Sequence, residues 1–107
     1  MSSLNWDKEF ALEQAADDAE LLEELLGIFR DSCANDLKQI KEGIDSNNPE
    51  IVAGAAHSIK GAAASLGILT LRDMALAIEL EAKHGRFAGV EERFSLLAAL
   101  VEELGKI

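Results

Sequence analysis

With 107 residues, 49% of them hydrophobic and 28% charged, the chain has the composition of one soluble globular domain, residues 1–107, and not of a disordered tail. Its net charge of −10 opposes general binding to nucleic acid or anionic lipid, and no apolar run approaches the roughly 18–20 residues of a membrane span. The start, MSSLNWDKEF, lacks the basic and apolar regions of a secretory signal, and a single Cys cannot close an internal disulfide, so a cytoplasmic setting is expected.

The apolar period is helical almost throughout. An N-terminal piece with Trp6, Phe10 and Leu12 predicts a short helix covering one end of the fold. Leu22, Leu25, Leu26, Phe29, Cys33, Leu37, Ile40 and Ile44 then follow at steps of one, three or four and form the stripe of a long amphipathic helix. Asp17 and Asp18 suit its start, and DSNNP closes it. Asn48 before Pro49 reads as an N-cap with proline in the first turn, opening a second helix that runs to about Leu66 and ends at Gly67. Thr70 and Asp73 have the spacing of a capping box for a third helix, with core face Leu71, Met74, Ala75, Ile78 and Ala82, ending at His84 before Gly85. Val90, Phe94, Leu97, Val101 and Leu104 mark a fourth. Connections of a few residues make successive helices antiparallel, so the expected fold is all-α: an up-down-up-down four-helix bundle with a short N-terminal capping helix.

The second helix carries the unusual surface. Val52, Ala55, Ile59, Ala62 and Leu66 gather on its core side, which puts His57 about 180° away at 100° per residue. Ala53, Lys60, Gly61 and Ala64 share the His57 side. From Ile51 to Leu71 the only ionisable side chains are His57 and Lys60, where a merely solvated face would carry Glu, Lys or Arg. Gly54 and Gly61 each cost a helix about 1 kcal/mol relative to Ala, which suggests that close approach matters beside this His.

A neutral imidazole is a nucleophile near neutral pH and needs one free nitrogen to accept a phosphoryl group. Lys60, one turn along, can supply a cation to the phosphoryl oxygens, and the lack of carboxylates on this stretch keeps repulsion low. Small neighbours let a partner's active site close over the ring. There is no Gly-rich phosphate loop, second base or metal cluster, so activation and magnesium are expected from the partner and no cofactor from this chain.

HSIKGAAASLG resembles the H-x-x-K-G-x-x-x-x-x-G signature of histidine-containing phosphotransfer (HPt) domains, with His57, Lys60, Gly61 and Gly67 on its fixed positions. AELLEELLGIF is similar to the family's first long helix and ALAIELEAK to its third, so the resemblance covers essentially the whole chain. It implies a phosphorelay intermediate without autonomous kinase activity. His57 would take a phosphoryl group on its distal nitrogen from a receiver-domain aspartate and pass it to another, with Lys60 helping to hold the group and Gly61 leaving it room. The implied partners are response-regulator receiver domains or a hybrid sensor histidine kinase. Ile59 stands where Leu is frequent, Ala62 and Ala63 replace Ser or Gly, and Ser65 stands where Asn is common.

Two other readings compete. One is a metal- or haem-binding bundle, but His57 and His84 are the only histidines and neither has a ligand spacing, while Cys33 sits on a core stripe. The other is a structural interaction module, in which Trp6 and the Phe residues pack and acidic pairs such as Glu23–Glu24 are solvated. The stripes are all used within one bundle, so a monomer is expected. Met1 and the length fit a free-standing protein, although a domain cut from a larger kinase would read the same.

Overall fold

The computed structural model describes residues 6–87 and 89–104; the first five residues of MSSLNWDKEF, the start expected to carry no secretory signal, lie outside them. Among the described residues five helices follow one another: α1 (Lys8–Gln14), α2 (Ala19–Asp45), α3 (Pro49–Ser65), α4 (Leu69–Lys83) and α5 (Val90–Leu104). α2 packs on α3, α3 on α4, α4 on α5, and α5 closes back on α2, which is the contact ring of a four-helix bundle. Among the described residues none belongs to a strand; one isolated bridge joins Trp6 to Ile68. At 27 residues α2 is about 40 Å long, well beyond the about 25 Å of α3, and the molecule is correspondingly 42 Å in its longest dimension. α1 packs on α2, and the segment leading into it ties to the α3–α4 turn: Asp7 N–H donates to the Gly67 carbonyl at 2.9 Å, and the Trp6 indole N–H to the Leu66 carbonyl at 2.9 Å.

Local chemistry sets the helix ends. Asp18 Oδ1 accepts from the amides of Glu20 and Leu21 at the start of α2. Asn48 Oδ1 accepts from Ile51 N at 3.3 Å, with Pro49 in the first position of α3. Gly67 (φ 68°) and Gly85 (φ 69°) take the left-handed conformation after α3 and α4. His84 is the C-cap of α4, and its Nδ1 donates to the Leu80 carbonyl at 2.7 Å.

Three expectations change. The capping box does not form: α4 starts at Leu69 with Ile68 as N-cap and no side-chain cap bond, so Thr70 lies already inside the helix. Tertiary bonding overrides the local signal, because Ile68 is buried, bridged to Trp6 and donates its amide to the Ala63 carbonyl. In α1 the buried residue is Ala11, while Phe10 is exposed and Leu12 packs half-buried against the core, so the face that α1 turns inward centres on Ala11. On α3 the buried set is Val52, Ala55, Ala56, Ile59, Ala63 and, at its C-cap, Leu66, with Ala62 only half-buried. Adding Ala56 and Ala63 turns the centre of the stripe by about 30° toward His57, placing that residue about 150° from it and Lys60 about 90°. The two polar residues therefore sit nearer the α4 flank than the sequence period indicates.

The α2–α3 corner depends on Gly43. A Cβ there would lie 2.6 Å from Val52 Cγ2, 3.1 Å from Val52 N and 3.2 Å from the Asn48 carbonyl. At Gly54 and Gly61 a Cβ would meet nothing within 4 Å, so helix packing does not require either glycine. Gly43→Ala should therefore lower the unfolding free energy by about 1–2 kcal/mol, overpacking outweighing the gain in helix propensity. Gly54→Ala and Gly61→Ala should each raise it by up to about 1 kcal/mol. Urea titration of the three variants reads both signs.

Candidate functional site

Midway along α3 the His57 side chain is 66% exposed, and its Nδ1 lies 3.0 Å from Glu79 Oε2 on α4. Lys60 Nζ donates to the other oxygen, Oε1, at 2.8 Å, with its side chain 27% exposed. Lys83 Nζ reaches Oε2 at 3.1 Å from one turn further along α4, with its side chain 59% exposed. Glu79 itself is 3% exposed. One buried carboxylate thus gathers an imidazole and two ammonium groups across the α3–α4 seam.

Such a carboxylate is tolerated because it is paired and fully hydrogen-bonded. Burial by itself would raise its pKa, yet the hydrogen bonds from Lys60, Lys83 and His57, with the charge of Lys60, outweigh burial and hold it at about 2, against an ordinary 4.5. An ionised carboxylate can only accept, so Nδ1 of His57 is the donor and carries the ring proton. In the neutral ring that leaves the lone pair on Nε2, away from Glu79.

The expectation of a site without carboxylates is therefore corrected. The stretch from Ile51 to Leu71 has none, but packing brings Glu79 in from α4. It stands four residues after the buried Ala75 and three before the buried Ala82, so it is an acidic residue in core register. That mismatch is the signal from which it could have been found. Of the other residues singled out, Gly54, Gly61 and Ala64 are exposed on the His57 side of α3, and Ala53 is half-buried. Ala53 lines an open groove of about 500 Å³ with Pro49, Glu50, Ala82, Lys83 and Gly85, one turn from His57.

The competing readings find less in the geometry. Among the described residues no three His, Cys, Asp or Glu side chains are grouped as metal ligands. Cys33 is buried in the core, where burial, then Asp36, push its thiol up to about 12 and keep it protonated. No helix among the described residues is long and apolar enough to cross a membrane.

Comparison with known proteins gives the same assignment as the motif. The family model of the Hpt domain matches residues 24–106, from the first turns of α2 to beyond α5. The chain belongs to the Hpt domain family. The Hpt domain also superposes on the crystal structure of histidine-containing phosphotransfer protein B (HptB) from Pseudomonas aeruginosa PAO1, with a TM-score of 0.87. That match covers 96% of this chain and 90% of the other at 16% sequence identity, and so reports the shared fold. No match was found among curated protein sequences. As a member of the family the chain is a histidine phosphotransfer module of two-component signalling, a class whose partners are receiver domains and kinases.

The lowered pKa makes this Hpt domain sensitive to acid. Folding holds the Glu79 carboxyl at about 2 against 4.5, so its contribution is complete above pH 4.5 and is lost as pH falls from there through about 2. A difference of that size corresponds to at most about 3 kcal/mol. Denaturant titrations should show wild-type stability falling across this window, and Glu79→Gln, weaker at neutral pH, should fall less steeply.

Proposed function

We propose that His57 is the phosphoacceptor of a phosphorelay, taking the group from the aspartyl phosphate of one receiver domain and passing it to the aspartate of another. The observation that carries this reading is the 3.0 Å contact of Nδ1 with Glu79, which leaves Nε2 as the nucleophilic nitrogen on an exposed ring.

In the forward step the Nε2 lone pair attacks phosphorus, and the P–O bond to the aspartyl carboxyl breaks with its electron pair leaving on the carboxylate. The Nδ1 proton stays in place, so the ring becomes cationic as the P–N bond forms. Glu79, already ionised and in position, stabilises that charge without reorganising. Lys60 serves the phosphoryl oxygens. Onward transfer is the reverse: a receiver carboxylate attacks phosphorus, and the P–N electron pair returns to Nε2. Magnesium and the water-excluding wall come with the receiver. Gly61 and Gly54, which packing does not require, leave the surface low enough for that wall to approach, as Ala64 and Ala53 do beside them.

Incubation with a phosphorylated receiver domain should place acid-labile, base-stable phosphate on the wild-type protein and none on His57→Gln. No labelling of wild type by any receiver of the same organism would end the phosphorelay reading. Glu79→Gln should slow acceptance about tenfold, equivalent to about 1.4 kcal/mol of lost charge stabilisation. Gly61→Leu should keep the helical circular dichroism and thermal midpoint of a folded protein while transfer falls by at least about tenfold through steric exclusion. Equal rates for that variant and wild type would show that the receiver does not close over this face.

A further inference from the structure

We infer that Lys83 is a positioning residue for phosphoryl transfer, the standing counter-ion of Glu79 that frees Lys60 to exchange the carboxylate for the phosphoryl group. The inference rests on the phosphorelay reading and adds to it a residue outside the family signature.

The reason is a charge count around one buried carboxylate. In the resting site Glu79 has two ammonium partners, Lys60 on Oε1 at 2.8 Å and Lys83 on Oε2 at 3.1 Å, for one negative charge. Either alone would neutralise it, and the imidazole Nδ1 adds a third donor, on Oε2. An arriving phosphoryl group brings new anionic oxygens to Nε2. Lys60 lies on the same helix as His57, one turn away, and is the cation placed to meet them. To do so it must give up Oε1.

Were Lys60 the sole ammonium partner, its departure would strip a 3% exposed carboxylate of its cation while the reaction proceeds, and the loss would oppose the exchange. Lys83 removes that opposition. It approaches from α4 itself, four residues after Glu79, so its contact depends on neither α3 nor the phosphoryl group. It also binds Oε2, the oxygen that accepts the hydrogen bond from His57 Nδ1, which keeps Glu79 charged and pointed at Nδ1 as the ring turns cationic. After the exchange each anion has one lysine: Lys83 with Glu79, Lys60 with the phosphoryl oxygens. Return of the phosphoryl group to a receiver sends Lys60 back to Oε1.

Lys83→Met and Lys83→Arg separate this role from a structural one. In Lys83→Met the carboxylate retains Lys60, so ¹⁵N NMR of His57 should still report the Nδ1–H tautomer, and the protein should stay folded, its thermal midpoint lowered by only the few degrees that one ion pair is worth. Lys60 is then held as the only ammonium on Glu79, and acceptance from a phosphorylated receiver should slow about fivefold, a partly exposed ion pair being worth about 1 kcal/mol. Lys83→Arg, which keeps the cation, should recover most of the rate. A Lys83→Met rate equal to wild type overturns the inference. So does a slow Lys83→Met that has lost the Nδ1–H tautomer, because Lys83 would then act only by holding the site together, and so does a slow Lys83→Arg. These results are read against labelled wild type; unlabelled wild type defeats the phosphorelay reading instead.

Discussion

Glu79 is the residue around which the surface of this protein is organised. A carboxylate in core register would ordinarily be a fault in a helix seam, since burial penalises its charge. Here three nitrogen donors from two helices converge on its two oxygens, at 3.0, 2.8 and 3.1 Å, and the penalty becomes a fixed dipolar arrangement. The side chain is held from both sides of the seam, so the imidazole it holds has a defined orientation and a defined tautomer.

The bundle exists in the form needed to keep that arrangement rigid. α3 lies between α2 and α4, and its small residues, Ala55, Ala56 and Ala63, bring the helices close enough for side chains to meet across the seam. Gly43 does the same at the α2–α3 corner, where Val52 occupies the space of its missing side chain. At the far end Trp6 and Asp7 tie the segment before α1 to the α3–α4 turn. That tie, and not the local Thr70–Asp73 spacing, decides where α4 begins.

The same geometry divides the small residues into two kinds. Gly43 and Gly67 are required by packing: a Cβ at Gly67 would lie 2.9 Å from the Asp7 carbonyl, in a left-handed conformation that side chains rarely adopt. Gly54 and Gly61 face open space, where an added Cβ would meet nothing, so their small size keeps the outer surface low. An alanine-rich helix therefore serves two purposes by face, close helix packing inward and low relief outward. Between them lies a rim where His57 and Lys60 reach α4.

Periodicity, caps and turn residues were enough to determine the all-helical class, the number of helices and most of their ends, because these depend on local spacing and on short-range hydrogen bonds such as Asp18 and Asn48 supply. The pairing of His57 with Lys60 on one side of α3 was equally legible, as was the resemblance carried by HSIKGAAASLG. What the tertiary structure alone decided was the third and fourth partners. Glu79 and Lys83 lie 22 and 26 positions from His57 along the chain, and nothing local links them to it. Glu79 meets the imidazole, and brings Lys83 to the same carboxylate, because Ala56 and Ala63 join the buried stripe and turn His57 toward α4. A rotation of that kind follows from which helix packs where, a non-local fact that a one-helix period does not contain. The exposed histidine was readable from the sequence; which of its ring nitrogens is left without a partner on α4 follows from a carboxylate delivered by packing.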